Sequence, residues 1–89
     1  MRTINRQAGK RIATPRSVFI GNQKTSLRLE GVMWHALRDI AEERGKTVND
    51  LIIEIRQDHD QANLSSAVRV YIVEHYRKAF RKAQNAGQG

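Results

Sequence analysis

Residues 24–55 read KTSLRLEGVMWHALRDIAEERGKTVNDLIIEI, one strand pattern followed by two helical patterns. The first six residues alternate polar and apolar side chains, so Leu27 and Leu29 lie on one face of the predicted strand. The opposite face carries basic and hydrogen-bonding side chains: Lys24, Ser26 and Arg28. The strand is therefore expected to present one face to a core and the other to water or to a polar partner.

Two short helices follow this strand. Apolar side chains recur every three or four residues from about residue 31 to residue 44, and Gly45 is the type of residue that ends a helix. The hydroxyl of Thr47 can cap the second helix, which starts within three residues of the first one's end. Apolar residues from all three elements are expected in the core: Leu27, Leu29, Trp34, Leu37, Ile40, Leu51, Ile52 and Ile55.

The flanking segments differ from this centre. Residues 1–15 have no helical or strand period, so we predict a flexible basic arm that Pro15 closes. Residues 16–83 are expected to form the domain, and residues 84–89 a disordered tail. The domain includes an extra third helix, capped by Asn63 or Ser65 and running to about Lys82. Its predicted buried stripe is apolar and aromatic: Leu64, Val68, Tyr71, Ile72, Tyr76 and Phe80.

Charge gives the first indication of a partner. The 89 residues include 16 Lys and Arg against nine Asp and Glu, a net charge of +7, and six of the bases fall in residues 1–24 with no acid among them. Such an excess favours a polyanionic partner, namely nucleic acid. The absence of cysteine excludes a disulfide-framed secreted module, and no apolar run approaches a membrane span. We therefore expect a soluble cytoplasmic protein that does not bind membranes.

Catalysis is not expected. His35, His59 and His75 stand far apart, and the sequence has neither a Gly-rich phosphate loop nor a nucleophile elbow. A chain of 89 residues also has little room for a buried active-site cleft. We predict no enzymatic activity, no cofactor and no metal.

A lone strand cannot form a sheet, because its backbone N–H and C=O groups stay unpaired. We therefore expect a second copy of the chain to supply an antiparallel partner strand, giving an intertwined homodimer. A two-stranded ribbon of this kind fits the major groove of DNA, where Arg28 can bond a guanine edge. The free amides at the start of the second helix, around residues 47–49, can bind a flanking phosphate with Lys46 beside them.

Residues 24–55, quoted above, resemble the ribbon-helix-helix superfamily of bacterial and phage repressors, the Arc and MetJ type. The segment NLSSAVRVYIVEHYR, residues 63–77, resembles the third segment of a subgroup with a basic N-terminal arm and an extra C-terminal helix. The resemblance implies a mainly helical fold with a short β ribbon, formed in an intertwined homodimer by antiparallel strands of two chains. It maps base reading onto Lys24, Ser26 and Arg28, and phosphate binding onto Lys46, Thr47 and Val48.

Two features depart from the family pattern. Val48 occupies a position where polar residues are common, and SVFIGN, residues 17–22, can extend the ribbon as a hairpin. Whether residues 16–23 belong to the ribbon therefore stays open at this point. Further phosphate contacts are expected from Asn49, Arg11 and Arg16.

These features predict a sequence-specific regulator that binds double-stranded DNA, a transcriptional repressor or autoregulator located with the nucleoid. The homodimer can form higher-order assemblies on DNA. The alternative is an antitoxin-like interaction protein whose C-terminal helix binds a protein partner. The basic end of the third helix fits either function.

Overall fold

The computed structural model describes residues 12–58 and 63–88. Two antiparallel strands precede three helices, which confirms the predicted mainly helical fold with a short β ribbon. The elements in chain order are β1 (Ala13–Ile20), β2 (Gln23–Glu30), α1 (Gly31–Glu43), α2 (Val48–Asp58) and α3 (Leu64–Gln88).

The ribbon is a hairpin within one chain. β1 pairs with β2 along its whole length, from Ile20 opposite Gln23 beside the turn to Ala13 opposite Glu30 at the far end. Gly21 has a φ of 63°, which suits the first position of a type II′ two-residue turn. The expectation that the strand has no partner in its own chain is therefore wrong, because this turn folds the preceding residues back onto it. The hairpin alternative is confirmed, and dimerisation stays a prediction.

The hairpin begins earlier than the sequence indicated. Residues 13–15 belong to β1 and not to a flexible arm, whereas residues 1–11 of the predicted arm lie outside the described residues. Pro15 lies opposite Arg28. Cross-strand pairs alternate between hydrogen-bonded and non-hydrogen-bonded, and the pair beside the turn, Ile20 with Gln23, is hydrogen-bonded. By this alternation Pro15 and Arg28 form a non-hydrogen-bonded pair, so a backbone N–H at position 15 would point away from β2. A proline costs no ladder hydrogen bond at such a position.

One face of the hairpin closes the core. Val18, Leu27 and Leu29 are buried beneath the helices, and partly buried Ile20 packs beside them. All eight residues predicted for the dimer core are buried within a single chain, at most 4% exposed: Leu27, Leu29, Trp34, Leu37, Ile40, Leu51, Ile52 and Ile55. Because β1 occupies the place expected for a partner strand, one chain covers this core by itself.

The helix ends follow the predicted signals. Gly45 has a φ of 67° after α1, and the N–H groups of Gly45 and Lys46 donate to the carbonyls of Glu42 and Ala41, as in a Schellman motif. Thr47 Oγ1 accepts from the N–H of Asp50, 3.0 Å away, and so caps α2. α3 is capped in the same way by Asn63, whose Oδ1 accepts from the N–H of Ser66 at 3.2 Å.

α3 is longer than predicted and only its first half contacts the core. Val68 and Ile72 are buried, but Tyr76 and Phe80 are 45% and 63% exposed, so their predicted burial is wrong. The helix is 25 residues long, about 37 Å, and passes beyond the much shorter α1 and α2. It continues to Gln88, so the predicted disordered tail is wrong for residues 84–88. Ala86 and the two glutamines of this segment are good helix formers, but Asn85 and Gly87 are poor ones, so the composition did not predict the extension.

The buried face of β2 gives a direct test of the fold. Leu27→Asp places a carboxylate in a position that is 1% exposed, so we expect a loss of about 3 to 5 kcal/mol of stability. That is comparable with the whole stability of a small domain. Urea unfolding followed by circular dichroism measures the loss. Ser26→Asp, one residue away on the exposed face, is the control and should be nearly neutral; equal effects of the two changes would contradict the register.

Candidate nucleic-acid interface

The outer face of the ribbon carries the predicted base-contacting residues. Lys24, Ser26 and Arg28 are all exposed and, at alternate positions of β2, share this face. Their partners on β1 are Phe19, Ser17 and Pro15, and directly opposed residues of a sheet share a face. The hairpin therefore presents one exposed surface with two cations, two hydroxyls and one aromatic ring.

α2 is fastened to the edge of β1. The N–H of Phe19 donates to Asn49 Oδ1 at 2.8 Å, and Asn49 Nδ2 donates to the carbonyl of Phe19 at 2.6 Å. The side chain of Asn49 thus mimics one rung of a further strand. As a result, the N-terminus of α2 lies directly beside the turn end of the ribbon.

Residues 47–49, predicted to bind phosphate, use their side chains within the fold. Thr47 caps the helix, Val48 is half-buried against the core, and Asn49 bonds β1. The backbone N–H groups at the start of the helix, unlike these side chains, are not all used within the fold. Within residues 12–58 and 63–88, the N–H groups of Val48 and Asn49 have no hydrogen-bond acceptor. An anion at this helix end would therefore contact main-chain amides rather than side chains.

Lys46, the other predicted phosphate contact near the turn, is paired with Glu54. Lys46 Nζ donates to Glu54 Oε1, and Arg44 Nη1 donates to Glu54 Oε2 at 2.9 Å and to the hydroxyl of Tyr71 at 2.8 Å. Hydrogen bonds from Lys46 first and from Arg44 second lower the pKa of the Glu54 carboxyl. This group of side chains joins the α1–α2 turn to α3, so Lys46 has a structural role.

Arg16 lies on the same face of the hairpin as Trp34 and contacts its ring. Its guanidinium carbon is 5.0 Å from the centre of the indole ring, a cation–π contact, and Trp34 Nε1 donates to the carbonyl of Thr14 at 3.0 Å. The residue is exposed, which leaves its cation accessible from water. Arg11, the remaining predicted phosphate contact, lies outside the described residues.

α3 holds the far end of the ribbon. Ser65 Oγ donates to the carbonyl of Arg28 at 3.2 Å, and Arg69 bonds both carboxylate oxygens of Glu30, with distances of 3.1 and 3.2 Å. The hydrogen bond from Arg69 lowers the pKa of the Glu30 carboxyl. The ribbon is thus fixed at one end by α2 and at the other by α3.

Sequence reasoning missed Phe19 as part of this surface. The alternation of Val18 and Ile20 with Phe19 places the ring on the opposite face of a strand, and the turn at Gly21 sets its register against Lys24. Both signals are visible in the sequence once the hairpin is assumed. No local sequence pattern predicted the structural roles of Asn49 and Lys46. Asn49 bonds Phe19, 30 residues away in the chain, and Lys46 bonds Glu54, eight residues away.

The chain belongs to the ribbon-helix-helix domain family, whose model matches residues 13–76. Domains of this family generally bind DNA, in transcription regulators or antitoxins, and generally dimerise; the fold is non-enzymatic. The solved structure of an uncharacterized protein from Bordetella pertussis Tohama I is similar, with a TM-score of 0.66 and 25% identity over 92% of this chain. The present chain covers 66% of that one. No protein of curated function gives a match.

The described residues contain neither a candidate metal site nor a candidate membrane-spanning helix. Within residues 12–58 and 63–88, no three histidine or acidic side chains come together as a metal site would require. None of the described helices combines the length and the apolar character needed to cross a membrane.

The bonds between Asn49 and β1 can be tested by hydrogen exchange. Asn49→Ala removes the acceptor of the Phe19 amide, so that amide should exchange markedly faster. The amide of Val18 faces β2 in the ladder and should change little. Loss of two exposed hydrogen bonds should cost about 1 kcal/mol of stability. Gln57→Ala, at an exposed position of the same helix, is the control; unchanged protection at Phe19 would show that the contact does not form in solution.

Proposed function

We propose that this protein is a sequence-specific DNA-binding regulator of transcription, a repressor or autoregulator, which inserts its ribbon into the major groove. The observation that carries the proposal is the exposed outer face of the hairpin, with Lys24, Ser26 and Arg28 in line on one strand. A two-stranded ribbon matches the width of the major groove, and this one is complete within a single chain.

Each of these residues has a proposed role. Arg28 bonds the O6 and N7 atoms of a guanine, while Ser26 and Lys24 bond neighbouring base edges. Phosphates beside the groove bind the first-turn amides of α2 at Val48 and Asn49, which lie next to the ribbon. Arg16 and Arg11 supply further contacts to the DNA backbone. Lys46 contributes only local positive charge, and Thr47 only caps the N-terminal end of α2.

The proposed active form is a homodimer. The family generally dimerises, and in the described chain each outer edge of the two-stranded sheet is contacted by a helix side chain, β1 by Asn49 and β2 by Ser65. A dyad would relate the two ribbons of such a dimer, as symmetric operators require. The proposed place of action is the cytoplasm, on the nucleoid, with no cofactor and no reaction catalysed.

Arg28 provides the test of base reading. Arg28→Ala should weaken binding to the preferred DNA site by about 1 to 3 kcal/mol and weaken binding to random DNA far less. The preferred site comes from sequencing DNA fragments that the protein selects. Arg56→Ala, an arginine in the last turn of α2 and so at the opposite end of that helix from its contact with the ribbon, is the control. Equal losses on both kinds of DNA would make Arg28 a phosphate contact and contradict the proposed role.

The basic segment before β1 provides the test of non-specific affinity. Deleting residues 1–11 removes Arg2, Arg6, Lys10 and Arg11 but leaves β1 intact. If two phosphate contacts per dimer are lost, the slope of log affinity against log salt should become shallower by about 2. The ranking of DNA sequences should hardly change. An unchanged slope would show that the segment does not contact phosphates, and a changed ranking that it reads bases.

A second function is favoured by one feature of α3. Val70, Val73, Tyr76 and Phe80 are large apolar residues of this helix that are 45% to 63% exposed. Exposed apolar patches rimmed by charge are typical of protein-binding surfaces. We propose as the alternative that α3 binds a protein partner, as an antitoxin would, while the ribbon serves autoregulation. A small toxin encoded by the adjacent gene would favour this alternative.

A further inference from the structure

Phe19 is an exposed aromatic residue on a surface that is otherwise polar or small. It lies outside the core, and its side chain is 56% exposed. The other β1 residues on this face are Ala13, Pro15 and Ser17, none of which has a large side chain. Phe19 therefore stands out from the β1 half of the ribbon, directly opposite Lys24.

We infer that Phe19 contacts the methyl group of a thymine in the major groove and so adds a base preference that β2 alone does not provide. The inference rests on the proposed function, since it requires the ribbon to enter that groove. Thymine is the base that offers an apolar group there, and phenylalanine is among the side chains suited to contact it. Its neighbours on the same face of β1 are small, so on that side of the ribbon the groove floor can approach the ring.

The backbone of Phe19 is fixed from both sides. Across the hairpin it is held in register with Lys24, and on its outer edge both its N–H and its carbonyl bond the side chain of Asn49. Asn49 thus acts as a positioning residue, which ties the ring to the same helix end that is proposed to bind phosphate. A ring held in this way contacts a base at a fixed position relative to the DNA backbone.

The register also sets which base the ring would meet. Phe19 and Lys24 are directly opposed, whereas Arg28 is four residues further along β2. Four residues of strand span about 13 Å, which corresponds to roughly three to four base pairs. The thymine read by Phe19 should therefore lie about three to four base pairs from the guanine read by Arg28.

The experiment removes the methyl group instead of the base. In the selected DNA site, each thymine is replaced in turn by uracil, and the affinity of the full-length protein is measured. Wild-type protein should lose about threefold to fivefold in affinity at one such position per ribbon, the value of one buried methyl group. Phe19→Ala should bind the two DNAs equally, and Phe19→Leu should keep part of the difference.

Phe80→Ala is the matched control, because it removes the same side chain from an exposed position on α3. It should retain the full preference for thymine. Thermal unfolding should show that Phe19→Ala is folded, as its exposure implies. The inference is overturned if Phe19→Ala keeps the wild-type difference between thymine and uracil, if no thymine shows a methyl effect, or if the variant instead changes the sedimentation mass of the protein.

These failures differ from failure of the proposed function. If Phe19→Ala retains the thymine preference while Arg28→Ala loses the guanine preference, the ribbon reads DNA without Phe19. If wild-type protein selects no DNA sequence at all, both the proposed function and this inference fail. If DNA bending is lost in Phe19→Ala with no effect of uracil, the ring is a wedge between base steps and the methyl contact is wrong.

Discussion

The pairing of β1 with β2 is the constraint on which the rest of this structure depends. The two-residue turn fixes a single register between the two strands, and in that register Val18, Leu27 and Leu29 face the helices. A slip of one residue on either strand would turn its buried side chains to water and its polar ones to the core. The same choice that builds the core therefore also aligns the cations and the aromatic ring on the outer face.

The helices do more than cover the sheet. Asn49 bonds the edge of β1, and Ser65 and Arg69 bond the other end of β2, so both strands are held by side chains from helices that are distant in sequence. Recognition surfaces need this kind of support, because a contact that is displaced by an ångström loses much of its specificity. Polar residues near the surface thus divide into those that hold the ribbon and those that remain available to a partner.

That division marks the limit of what the sequence could predict. Leu27 and Leu29, the Gly45 helix end and the Thr47 cap follow from local patterns, and each was predicted correctly. The partner strand was not, because a short β-type run before a turn is a weak signal for a strand that completes the sheet within one chain. Lys46 looked like a free cation since its partner, Glu54, is recognisable only after two helices pack. Tyr76 and Phe80 continue the helical period of Val68 and Ile72, and no local pattern shows where the neighbouring helices stop.

The turn at Gly21 also has a consequence for folding kinetics. In an intertwined dimer, strands from two chains must meet before either is paired, so the step slows as the protein becomes dilute. Here the strands are joined by two residues, and hairpins of this kind close in about 1 to 10 μs without needing a second molecule. The ribbon can therefore form within one chain, and its formation does not depend on protein concentration.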